Sequence, residues 1–144
     1  MATDRTAEVT WHGDLMSGSG RIDSVTSGAI GGLDVDWRAR SEDAGSKTSP
    51  EELIAAAHAS CLSMALSNTL AQAGHPAEEL KTSATVTFQP GEGITKIALA
   101  VAGKVPGMED SAFQEAAKTA KENCPVSKAL ASVPEISLSA RLES

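Results

Sequence analysis

Tyrosine is absent from this chain, and the aromatic residues amount to two Trp and two Phe (Trp11, Trp37, Phe88 and Phe113) in 144 residues. A core without many aromatic anchors has to be assembled from Ala, Val, Leu, Ile and Met. Such a small core favours extra burial through self-association. Basic residues are also in short supply. Twelve Lys and Arg against nineteen Asp and Glu give a formal charge of −7, and the cations are scattered. An acidic chain with no basic stripe repels phosphate backbones, so nucleic acid is not an expected partner. No stretch reaches ~18 uninterrupted apolar residues, the length of a bilayer span. The opening residues MATDRTAEVTWHGD lack the apolar centre of a secretory leader. The expectation is a cytoplasmic chain with no membrane partner, folded as a single domain over residues 1–144.

Cysteine occurs only twice, as Cys61 and Cys124. A reducing compartment disfavours a permanent structural disulfide, so the two thiols are either inert or redox-active. Cys61 ends the run SPEELIAAAHASC, which reads as the interior of a buried helix, a setting where cysteine commonly acts as a small hydrophobe. Cys124 lies in ENCPVSK, one residue before a proline, where a helix can begin. The positive end of a helix dipole favours a thiolate, whereas an apolar mid-helix site raises a thiol pKa. On the residues alone Cys124 is the more acidic thiol. Cys61 then needs a cation before it can act as a nucleophile, and Arg38 and Arg40 upstream are both candidates.

Other chemistries find little support. His58 and Cys61 are spaced i, i+3, but two ligands do not make a zinc site, and His12 and His75 have no ligand-like spacing. The glycine-rich GAIGG at 28–32 lacks the Lys and Ser/Thr of a phosphate loop, and no nucleophile elbow supports Ser-His-Asp catalysis. His58 reads as a polar group satisfied at a helix packing surface.

The hydrophobic pattern predicts a strand over 5–13, a turn over 14–20 and a return strand over 21–27. Leu33, Val35 and Trp37 then alternate with polar residues as a third strand, which would put Arg38 and Arg40 on one face. Ser49-Pro50-Glu51-Glu52 is a helix-start signature. The helix should run to about Ala73, with Gly74 as its stop. Apolar residues cover nearly every face of it, which predicts burial on all sides. Residues 80–89 and 94–105 read as a hairpin. Residues 110–122 and 126–131 read as helices, and 135–143 as a final strand. Strands in runs separated by helices argue for an α+β fold.

The segments TSPEELIAAAHASCLSMALSNTLAQAGH and ENCPVSKAL, together with ITKIALAV and the N-terminal WHGD…GSGRI, resemble the OsmC branch of the OsmC/Ohr family of thiol-dependent hydroperoxide reductases. The likeness covers nearly the whole chain in the same order, and the His of AAAHASC is similar to this branch rather than to its sister. The resemblance implies an OsmC-like fold: antiparallel sheets packed around a long buried central helix, in an intertwined homodimer. It implies Cys61 as the peroxidatic cysteine and Cys124 as the resolving one. It implies Glu51 of the PEE motif as the carboxylate that holds the family's arginine, which best matches Arg40, with Arg38 as the alternative. The implied reaction reduces organic hydroperoxides, and hydrogen peroxide less well, through a Cys61 sulfenic acid and a Cys61–Cys124 disulfide. An external dithiol, of lipoyl type by resemblance, would recycle the enzyme. No metal, haem or flavin cofactor is implied.

One consequence follows from helix geometry. Glu51 and Cys61 are ten residues apart, a rise of ~15 Å, so they cannot share one arginine along a straight helix. A second copy crossing antiparallel near Ala56 would bring Glu51 of one chain to Cys61 of the other, which predicts a two-fold homodimer. The Met and Leu residues around Cys61 suggest an aliphatic channel. Two further readings compete: a non-catalytic small-ligand binding protein with structural thiols, and a thiol-disulfide oxidoreductase acting on proteins. The second lacks a CxxC spacing.

Overall fold

A computed structural model describes residues 1–143, which form two compact units, one ending at Leu53 and the other beginning at Ile54. In the first, β1 (Ala7–His12), β2 (Ser19–Val25) and β3 (Leu33–Val35) make an antiparallel sheet in sequence order. Trp11 pairs with Gly20. A Cβ added at Gly20 would sit 2.6 Å from the Trp11 ring, so the missing side chain is what lets the indole lie across β2.

The third strand is shorter than the alternation predicts. It ends at Val35, and Trp37 to Ser41 form a single helical segment, α1 (Trp37–Ser41). Asp36 is the cause. Its carboxylate accepts the Ala39 amide at 2.7 Å, an N-cap that competes with continuing the strand. Arg38 and Arg40 therefore do not share a strand face. Two residues apart on a helix, they diverge by ~200°.

The long helix α2 (Pro50–Gln72) begins where expected. The Ser49 hydroxyl accepts the Glu52 amide at 3.1 Å, and the Ser49 carbonyl accepts that of Leu53. At the far end Gly74 adopts φ +85°, and the His75 amide closes back on the Leu70 carbonyl at 2.9 Å.

The second unit contains the body of α2 and a sheet ordered β4 (Glu79–Gln89), β5 (Gly93–Lys104), β6 (Glu135–Leu142). The β4–β5 hairpin is antiparallel, as its turn residues predict. β6 departs from the antiparallel expectation and joins β5 in parallel. The chain between them carries α3 (Asp110–Asn123) and α4 (Pro125–Ala129), and a helical crossover of that length returns a strand in the same direction. Phe113, Ala116, Ala117 and Ala120 form the buried stripe of α3. Phe113 packs over Gly103, where an added Cβ would lie 2.7 Å from the ring.

Leu62, Leu66 and Leu70, at i, i+4 and i+8 of α2, join Ile97, Leu99, Val101 and Val105 of the sheet side in one core. The rest of α2 corrects the expectation of burial on all sides. Ala56, Ala57, Ser60, Met64, Ser67 and Asn68 are exposed in this chain, Met64 at 73%. One three-stranded sheet covers one face of a helix, so an all-round apolar helix keeps an uncovered face. By length and mean hydropathy (1.3) α2 would pass as a bilayer span, although the sequence has no uninterrupted apolar run of that length. Its leucine face instead belongs to the core of its own unit.

Candidate active site

The candidate residues fall into two constellations, one in each unit. In the first unit, α1 carries Arg40 and the first turn of α2 carries Glu51. Arg40 donates from Nε to both carboxylate oxygens, at 3.0 and 3.1 Å, and from Nη2 to Oε2 at 2.9 Å. The Glu51 side chain is buried, and Arg40 keeps 34% of its side-chain surface exposed. Arg38 does something different. Its side chain is 74% exposed, and it pairs with Glu42 at 3.8 Å. Arg40, not Arg38, is thus the arginine that Glu51 orients, by a charge-assisted fork that fixes the plane of the guanidinium.

In the second unit, Cys61 on α2 is partly exposed and Cys124 is buried between α3 and α4; both are free thiols. They lie within hydrogen-bonding reach of each other. The local sequence explains how. Cys124 closes α3 with its amide on the Ala120 carbonyl at 2.8 Å, and it is also the N-cap of α4. Pro125 occupies the first helical position, where no amide is needed. The amides of Val126 and Ser127 make no capping bond to the neutral thiol, but they favour the sulfur as an anion.

The two thiols are driven apart electrostatically. Burial pushes the Cys61 thiol up, and its hydrogen bond with Cys124 adds to that, against a smaller opposing effect of the Val126 amide. Burial also acts to raise Cys124, but the bonds from Cys61, Ser127 and Val126 outweigh it and bring the thiol below its ordinary value. The pair titrates as a unit rather than as two separate thiols. These are the directions that helix position alone predicts.

His58 is fully buried, and its Nε2 lies 2.7 Å from the Ser127 hydroxyl. Its Nδ1 has no partner among the described residues, so the histidine is only half satisfied. Burial, and then the charge of Lys121, disfavour the imidazolium. Ser127 is not among the residues that the sequence pattern singles out. The available signal was its place three residues after Cys124 in CPVS, the position of a first helical turn that faces the cap residue. The expected aliphatic channel is also revised. Leu62 and Leu66 turn into the core, and Met64 remains on the exposed side of α2. Among the described residues, no three His, Cys, Asp or Glu side chains converge as a metal site.

Comparison with known proteins places this geometry in a context. A family model described as "OsmC-like protein" matches residues 43–139. The chain is 40% identical over 148 aligned residues, covering all of both chains, to peroxiredoxin OsmC of Escherichia coli, and equally to its Shigella flexneri counterpart. Its fold is similar to that of an organic hydroperoxide resistance protein OsmC from Legionella pneumophila, at 22% identity and a TM-score of 0.67, covering 94% of this chain and 96% of that one. It is also similar to an organic hydroperoxide resistance protein from Elizabethkingia anophelis, at 21% identity and a TM-score of 0.69, covering 99% and 100%.

Proposed function

Because this chain belongs to the OsmC family, we propose that it reduces organic hydroperoxides through a Cys61 sulfenic acid and a Cys61–Cys124 disulfide. Family membership and full-length kinship with a peroxiredoxin make it a thiol-dependent peroxidase. The observation that carries the finer reading is the pairing of a partly exposed helical thiol with a buried, anion-favouring one within bonding reach.

In the first step the Cys61 thiolate attacks one peroxide oxygen. The O–O bond breaks, the leaving alkoxide takes a proton to become an alcohol, and the sulfur is oxidised to sulfenic acid. The Cys124 thiolate then attacks that sulfur and expels hydroxide, which leaves as water. An external dithiol reduces the disulfide through a mixed disulfide and is itself oxidised. A lipoyl-type dithiol and a cytoplasmic setting belong to the same proposal.

Cys61 is the thiol that burial disfavours as an anion, so a cation has to reach it. Arg40, held by Glu51, is an oriented guanidinium. Glu51 and Cys61 are separated by ~15 Å of helix rise. The cation is therefore supplied by a second copy whose α2 crosses this one near Ala56, with the exposed face of α2 as the contact. A small-ligand binding protein with structural thiols is disfavoured, because structural thiols have no need to face each other at a helix cap. The test is peroxide consumption with a dithiol: it is lost in Cys61→Ser, and in Cys124→Ser the sulfenic acid accumulates. Undiminished consumption in Cys61→Ser would exclude the reading.

A further inference from the structure

His58 and Ser127 are left unused by the steps just described. His58 is 0% exposed and meets the Ser127 hydroxyl at 2.7 Å through Nε2, while Nδ1 has no hydrogen-bond partner among the described residues. Burying an unpartnered N–H costs more than burying an unpartnered ring lone pair. The proton therefore sits on Nε2, and Nε2–H donates to Ser127 Oγ. With that oxygen accepting, the Ser127 hydroxyl has its own proton free for an acceptor, and the Cys124 sulfur lies beside it at the start of α4. In the opposite tautomer Ser127 would donate to the ring instead, turn a lone pair toward sulfur, and leave Nδ1–H stranded.

We infer that His58 and Ser127 form a directional relay that holds the Ser127 hydroxyl proton on Cys124, which makes both of them positioning residues for disulfide closure. The relay moves no proton to the histidine, since Nε2 is already protonated and Nδ1 meets no donor among the described residues. It acts on the step in which Cys124 sulfur forms the S–S bond, the S–O bond of the Cys61 sulfenic acid breaks, and hydroxide leaves. It acts equally in reverse exchange, when a dithiol attacks the Cys61 sulfur and Cys124 departs as thiolate. The kinetic consequence rests on the peroxidase reading; the hydrogen-bond chain does not.

The test uses two readouts. In a Cys61→Ser chain, Cys124 is the remaining thiol, and the ultraviolet absorbance of its thiolate is titrated. Ser127→Ala and His58→Leu should each raise the midpoint by about one pH unit, about tenfold less thiolate below it. Ser127→Thr, which keeps a hydroxyl, and His58→Gln, whose amide can donate from nearly the Nε2 position, should recover most of the shift. In the two-cysteine chain given one equivalent of cumene hydroperoxide, Ser127→Ala should lower the ratio of disulfide closure to Cys61 oxidation by about threefold. The loss of thiolate is partly offset by the greater nucleophilicity of a more basic sulfur. A midpoint unmoved by Ser127→Ala, or a shift that Ser127→Thr leaves in place, overturns the relay whatever the peroxide does. A midpoint shifted in the Cys61→Ser background, together with a two-cysteine chain that consumes no hydroperoxide, supports the relay and overturns the peroxidase reading instead.

Discussion

Arg40 meets Glu51 along the edge of its guanidinium, with three N–O contacts between 2.9 and 3.1 Å. The pair joins a one-turn helix to the first turn of α2, and its carboxylate is buried while its cation keeps an open side. An arginine so fixed has already given up its side-chain entropy before it meets an anion.

Arg40→Lys keeps the charge and loses the fork. It should lower kcat/KM for hydroperoxide by about a hundredfold, and Glu51→Gln by about tenfold, since the guanidinium then loses its orientation. Arg40→Ala also strands a buried carboxylate and should destabilise the chain by about 2 kcal/mol, between the exposed and fully buried limits for an ion pair. Steady-state kinetics and denaturant unfolding of the three variants check both effects.

The depressed pKa of His58 makes stability depend on pH in one direction. Folding holds the imidazole neutral, so its folded pKa lies below the unfolded value near 6.5. As pH falls through that value the unfolded chain takes a proton that the native chain refuses. Stability should then decline, with a slope of at most about 1.4 kcal/mol per pH unit, until the folded pKa is reached. The same contribution is fully present above pH 6.5. His58→Gln should flatten this segment of the curve, measured by urea unfolding across the mildly acidic range. Asp14 and Asp36, whose pKa values are lowered by their hydrogen-bond partners, lose their contributions only at more acid pH, below the ordinary value of 3.8.

Gly103 and Phe113 are a matched pair, a missing side chain under a ring. Gly103→Ala forces a Cβ against the ring and should cost about 2 kcal/mol by overpacking. Combining it with Phe113→Leu should recover part of that loss, a coupling that a double-mutant cycle in denaturant resolves.

The exposed face of α2 is the predicted contact with a second copy. Light scattering at micromolar concentration should give twice the mass of one chain. Met64→Glu, which places a charge at a 73% exposed apolar site, should reduce it to a single chain and lower peroxidase activity with it. A single-chain mass for the unmodified protein would remove the second copy from the account.

Much of this was legible in the residues, and the exceptions have physical causes. The start of α2 could be read because Ser49 and Pro50 act locally, and so could its end, because Gly74 is needed at positive φ. The β4–β5 hairpin was set by its own turn. β3 stops short of Trp37 because alternation and an Asp cap compete over the same residues, and the hydrogen bond to Ala39 decides for the cap. The parallel pairing of β6 is a property of the crossover rather than of its alternating sequence. Burial of α2 is less complete than its composition suggests, because composition does not encode which face a chain covers by itself. The choice of Arg40 over Arg38 needed a distance, as did the approach of Ser127 to His58 across 69 residues of sequence.

The central claim is that Cys61 yields electrons to an O–O bond and is then captured by Cys124. Mass spectrometry of the reduced chain after one equivalent of cumene hydroperoxide tests it most directly. The account predicts the loss of two hydrogens and a linked peptide pair containing Cys61 and Cys124, with a single added oxygen on Cys61 in Cys124→Ser. A chain left unmodified by hydroperoxide, or one whose oxygen resides on methionine while both thiols stay reduced, would contradict it.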